Sequence, residues 1–212
     1  MTPAAAAPAR GLVTPLAQPI GEWRDALTRA LGDERALWFI NRGFGVVAAV
    51  LLTLSVVLGV LATARAGSRI WPRFATQALH RNVSLLSLAV LTVHIGAAVI
   101  DDYVDISWYD AVVPVNGGYR PMWLGFGALA LDIVVVTVVS SLIRRRLGRR
   151  QWRALHVMSY AAWGFAVAHG LGIGTDRRDA WAASLVVACI GAVAASAVVR
   201  LATQRHERRL AT

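Results

Sequence analysis

Five stretches of about 20 apolar residues, at roughly 39–64, 80–100, 122–143, 154–172 and 180–203, constrain this chain more than any other feature. That is the length a helix needs to cross a hydrocarbon layer of about 30 Å at ~1.5 Å per residue. Backbone groups in lipid must pair within their own segment, and no run alternates as a barrel strand does, so helices are the solution. Over 212 residues, 57% hydrophobic and 16% charged side chains leave too little polar surface for a soluble domain. The expected fold is all-α: an integral membrane helical bundle of about five transmembrane helices, with membrane lipid as its solvent.

The formal charge of +10 is carried entirely by arginine, for there is no lysine. Most of these arginines stand in short runs beside the apolar stretches, which is the pattern of cytoplasmic loops rather than of a nucleic-acid surface. No nucleic-acid partner is expected. Arg65, Arg69, Arg73 and Arg81 follow the first span, and Arg144, Arg145, Arg146, Arg149, Arg150 and Arg153 follow the third. The connection between those regions holds Asp101, Asp102, Asp105 and Asp110 against Arg120 alone, which suits the opposite face. A multi-pass protein of the cell membrane follows, with the N-terminus outside and the C-terminus cytoplasmic. Against this orientation stand five arginines by residue 42, nearly balanced by Glu22, Asp25, Asp33 and Glu34.

Residues 1–37 form an N-terminal tail, in which 1–20 are rich in Ala and Pro and expected to be disordered. Residues 21–37 are either a short interfacial helix, with Trp23, Leu27, Leu31 and Leu37 on its apolar side, or a solvated linker. The membrane domain spans 38–203, and 204–212 are a basic cytoplasmic tail. Trp38, Trp71, Trp108, Trp123, Trp152 and Trp181 fall near span ends, where indole is comfortable between headgroup and chain; Trp163 lies inside the fourth span. The single cysteine, Cys189, rules out an internal disulfide and a cysteine-based cluster and reads as a small packing residue.

Four of the five histidines lie in the apolar spans: His80 and His94 in the second, His156 and His169 in the fourth. Imidazole is costly in lipid unless both ring nitrogens are used, so intramembrane histidine points to function. For one isolated residue a helix-to-helix hydrogen bond would suffice; it does not explain two pairs. The spacings of 14 and 13 residues place the members of each pair on the order of 20 Å apart along a helix. If both spans run from inside to outside, His80 is level with His156 and His94 with His169. Facing imidazoles from two parallel helices are the axial ligands of six-coordinate heme iron, so these residues are candidate metal ligands. Ideal geometry brings a 14-residue spacing nearly back to one face but not a 13-residue spacing, so the fourth span must bend, twist or use different rotamers, with Gly164, Gly170 and Gly172 as places of local freedom.

The segments WPRFATQALHRNVSLLSLAVLTVHI and WRALHVMSYAAWGFAVAHG, with this spacing, resemble the heme-bearing helices of the ferric reductase-like transmembrane domain. That domain is shared by ferric reductases, NADPH oxidases and the heme-binding subunit of the bacterial periplasmic methionine sulfoxide reductase system. The resemblance covers roughly 39–203. It implies two bis-histidine b-type hemes, His80 with His156 on the inner side and His94 with His169 on the outer, and electron flow outward. The chain ends about ten residues after its last span and no G-x-G-x-x-G lies between a strand and a helix, so a separate donor is expected. This makes the methionine sulfoxide reductase subunit the nearer analogue.

Arginine is a natural partner for heme propionates; Arg81 and Arg153 are the inner candidates, and Arg120, Arg177 and Arg178 the outer ones, with ordinary membrane topology as the alternative. Asp132, in the middle of the third span, is either hydrogen-bonded to a heme ligand or a neighbouring hydroxyl, or engaged in proton movement. Trp163 stands between the two histidine levels, for packing or for electron transfer. The acidic loop with Tyr103, Trp108, Tyr109 and Tyr119 is a docking surface or a solvated loop.

The expected function is that of a transmembrane oxidoreductase subunit. A membrane cytochrome b would relay electrons from a cytoplasmic flavoprotein reductase or quinol, through two hemes b, to an extracytoplasmic acceptor protein, ferric iron or oxygen, any flavin or quinone coming through a partner. Two alternatives remain: a heme-free bundle serving as transporter or assembly subunit, and a single-heme subunit of a periplasmic reductase system.

Overall fold

The computed structural model describes residues 34–63, 72–101, 104, 106–114 and 118–210. The tail before Glu34, and with it residues 21–33 of the interfacial-helix reading for 21–37, lies outside the described residues, as do Trp71, Asp102, Tyr103 and Asp105; residues 34–37 belong to the first long helix. Among those described, the chain is all helical: α1 (Glu34–Thr63), α2 (Arg73–Ile100), α3 (Pro121–Leu142), α4 (Arg149–Val157), α5 (Ser159–Ile173) and α6 (Ala180–Leu210). Helices α1, α2, α3 and α6 each contain an apolar run long enough to cross a membrane, so this is a multi-pass helical bundle.

The fifth expected span is divided. Between α4 and α5 the Met158 amide reaches back only to Leu155 O at 3.2 Å, a tightened i→i−3 turn, before the helix resumes at Ser159. A 3₁₀ step turns about 20° further than an α step, so this turn rotates the chain in the direction that the 13-residue histidine spacing requires. It supplies about 20° of the roughly 100° by which 13 α-helical steps fall short of 14. Gly164 and Gly170 sit within continuous α5 and face open space, and Gly172 is pressed against the Trp123 ring.

Helix boundaries follow local chemistry. Pro72 precedes α2, and Pro121 opens α3 at the position where its missing N–H costs nothing. Arg120, which caps α3, sits at φ 39°, a left-handed conformation unusual for a residue with a side chain. Its guanidinium donates to Gly172 O at 2.7 Å, meeting one of the unpaired carbonyls at the end of α5.

Small residues fill the helix interfaces, among them Ala48, Ala97, Ala128, Ala130, Ala162 and Cys189, whereas Leu85, Leu86, Val136, Leu142 and Val187 point outward. That inversion of a soluble protein suits lipid, where close backbone approach holds helices together. Hydroxyls within the spans are satisfied locally, as with Thr53 to Ala49 O and Ser87 to Val83 O. Helix α1 is the hub, packing against α2, α5 and α6, while α3 packs against α4 and α5. Helix α2 has no extended packing with α4 or with α5, and this leaves a seam between α2 and the α4–α5 segment.

Candidate functional site

Across that unpacked seam the histidines face each other. The His80 and His156 ring centroids are 6.2 Å apart, and those of His94 and His169 6.4 Å, with ring planes at 81° and 84°. Two imidazoles bound to one iron through bonds of about 2 Å would place their centroids about 6 Å apart. Among the described residues no group of three or more His, Cys, Asp or Glu gathers as a metal site. The histidines come in twos, the number that an iron already held by a tetrapyrrole requires.

The His94/His169 pair is fully oriented from behind. His94 Nδ1 lies 2.8 Å from Asn41 O, and His169 Nδ1 2.9 Å from Trp123 O. A carbonyl only accepts, so each Nδ1 carries the proton and donates it, and each Nε2 is left with a bare lone pair. Two bare lone pairs cannot hydrogen-bond to each other, which disposes of a simple His-to-His bond here. His80 follows the same rule, donating through Nδ1 to Ser55 O at 2.9 Å.

Each of these three rings also rests on a glycine four residues after its carbonyl partner. A Cβ at Gly45 would stand 2.9 Å from His94 Cε1, one at Gly59 3.3 Å from His80 Cε1, and one at Gly127 2.6 Å from His169 Nδ1. The device of carbonyl i and glycine i+4 thus occurs at Asn41/Gly45, Ser55/Gly59 and Trp123/Gly127. Sequence reasoning missed it, although Gly45 and Gly59 share the 14-residue spacing of His80 and His94.

His156 is different. Its Nδ1 is buried without a partner, as are Thr137 Oγ1 and Trp152 Nε1 nearby, and its ring stacks on Trp152 with centroids 5.0 Å apart. A cavity of about 90 Å³ adjoins it, lined by leucines and valines together with Ser55, Ser84, Ser87, Thr137, Ser159 and Trp163. The Ser55 and Ser84 hydroxyls bond at 2.6 Å across α1 and α2. Trp163 Nε1 donates to Thr53 Oγ1 at 2.9 Å, tying α5 to α1 between the two histidine levels.

Arg81 and Arg153 are exposed, and neither lines the cavity beside His156. At the other end Arg120, Arg177 and Arg178 line a cavity of about 350 Å³ with Tyr119 and Thr175, and Arg177 leans toward the same Gly172 carbonyl at 3.4 Å. Close by, Arg42 pairs with Asp176 and lies over the Trp38 ring, holding the start of α1 to the loop after α5. Asp132 is half-buried in mid-span, and none of the four histidines bonds to it. In the acidic loop, Asp110 accepts from Ser107 N and Oγ, so at least that carboxylate works as a turn cap.

A family profile described as Domain of unknown function (DUF8596) matches residues 36–176. The chain belongs to that family. The matched stretch takes in the four histidines, their three carbonyl partners and three glycines, and it ends at the Asp176 that pairs with Arg42. The whole of α6 lies beyond the DUF8596 match. No curated protein and no solved structure matches the chain.

Proposed function

We propose that this chain is a membrane b-type cytochrome of the ferric reductase-like kind, passing electrons through the bilayer by way of two hemes, one between His80 and His156 and one between His94 and His169. The observation that carries this reading is the outer pair: two rings 6.4 Å apart, both with Nδ1–H committed to backbone carbonyls and both with Nε2 left as a lone pair. That is the state of a ligand waiting for iron. When bound, heme iron supplies reversible one-electron transfer between its ferric and ferrous states.

The chain's own residues supply placement and insulation. Asn41, Ser55 and Trp123 carbonyls fix tautomer and ring plane, and Gly45, Gly59 and Gly127 leave the rings room to stand. Lipid-facing leucines and valines keep water from the seam. The unpartnered Trp152 Nε1 is a donor suited to a carboxylate on the inner side, and the Arg120, Arg177 and Arg178 cluster suits carboxylates on the outer side.

Arginine-rich connections assign the His80 and His156 end to the cytoplasm, with the N-terminus outside. Electrons then enter at the inner pair from a flavoprotein reductase or a quinol and leave from the outer pair to an extracytoplasmic acceptor.

The test is a reduced-minus-oxidised spectrum of the purified full chain with pyridine hemochrome quantitation. Two hemes b per chain are expected. A colourless, folded protein overturns the reading in favour of a heme-free bundle.

A further inference from the structure

Three of the four histidines are held by the same device, and the chain repeats it by a fixed step. Asn41/Gly45 recurs on α1 as Ser55/Gly59, 14 residues on. The same step on α3 leads from Trp123/Gly127 to Thr137/Ser141, at the level of His156. There the device fails. A serine replaces the glycine, and the Thr137 carbonyl already accepts from Ser141 Oγ at 2.7 Å and Ser140 Oγ at 2.9 Å. His156 Nδ1 is left buried without a partner.

Two other buried polar side-chain atoms at this level are also unpartnered: Trp152 Nε1 and Thr137 Oγ1. An indole N–H only donates, so it cannot take a proton from His156. A hydroxyl can. Thr137 and His156 line one cavity of about 90 Å³, several times what a single bridging water needs. We propose that the Thr137 hydroxyl is the positioning group for His156, reached from Nδ1–H across one bridging water in their shared cavity, in place of the backbone carbonyl that positions the other three histidines.

This inference rests on the heme reading above. Ligation through Nε2 requires the proton on Nδ1, so the hydroxyl must accept rather than donate. Its consequence is electronic. An acceptor on Nδ1–H makes the imidazole a better donor to iron and favours the ferric state, so removing the acceptor raises the reduction potential.

The experiment is a redox titration of the purified full chain, with the inner transition identified as the one lost in His156→Ala. Thr137→Val, nearly the same size, should raise the ferrous-to-ferric ratio of that transition about tenfold at fixed potential, equivalent to 59 mV for one electron, and leave the outer transition in place. Thr137→Ser should restore the original value. If the valine variant does not accumulate, Thr137→Cys, whose thiol is a poor acceptor, is read in the same way. Two transitions that neither variant moves overturn the role of Thr137 while the cytochrome reading stands; a chain with no b-type spectrum refutes the cytochrome reading itself.

Discussion

The His94/His169 pair and the His80/His156 pair are built to different standards. At the first, both rings are fastened to carbonyls, both sit on glycines that admit no methyl group, and the Arg42–Asp176 pair closes the end of the bundle beside them. At the second, His80 alone is fastened in this way; His156 leans on an indole and a cavity of mixed apolar and hydroxyl-bearing residues. The difference teaches that pairing in a bundle is set by helix register, whereas ligand rigidity is set one residue at a time by what stands behind each ring.

The contrast breaks most visibly through the ligands. His169→Ala should halve the heme-to-protein ratio by emptying the outer position; an unchanged ratio would remove the outer pair from the account. Next come the glycines, which rank by the space each leaves. Gly127→Ala puts a methyl 2.6 Å from His169 Nδ1 and should, on the cytochrome reading, weaken heme retention at the His94/His169 pair by about 10–100-fold, whereas Gly59→Ala, at 3.3 Å, should be the mildest of the three. Heme content after gel filtration orders them, and equal losses would show that the cradle does not matter.

A smaller effect belongs to the strut between the levels. Trp163→Phe removes the bond to Thr53 and should cost about 1 kcal/mol in unfolding while leaving the heme spectrum in place. A changed spectrum would instead place Trp163 in contact with a heme. Smallest is Arg42→Gln: the pair is partly exposed, so a loss of about 0.5–1 kcal/mol that shrinks at high salt is expected in the same denaturation assay.

Much of this was legible in the residues. Apolar run length marks four unbroken spans, and arginine-rich connections together with histidine spacing anticipate which ring meets which, because register depends on residue counts that sequence preserves. The break at Met158 was not legible: Ser and Met carry no helix-stopping signal, and the 13-residue spacing said only that some adjustment was needed. Nor were the carbonyl partners, since a backbone oxygen has no letter of its own; the glycines that betray them were masked among the chain's 18. The outer arginine cluster was visible from charge, yet Arg81 and Arg153 show that adjacency to a histidine does not aim a side chain at it.

The seam between α2 and the α4–α5 segment carries one more consequence. Helix α1 joins α2 to α5, while across the seam two pairs of rings stand apart, so anything held between the rings adds to the cohesion that α1 provides. A ligand that bridges both rings acts as a stitch, and its free concentration enters the folding equilibrium as RT ln(1 + [L]/Kd). On the cytochrome reading, cells short of the cofactor would then hold less of the protein itself, because the unstitched bundle is the form that quality-control proteases meet first.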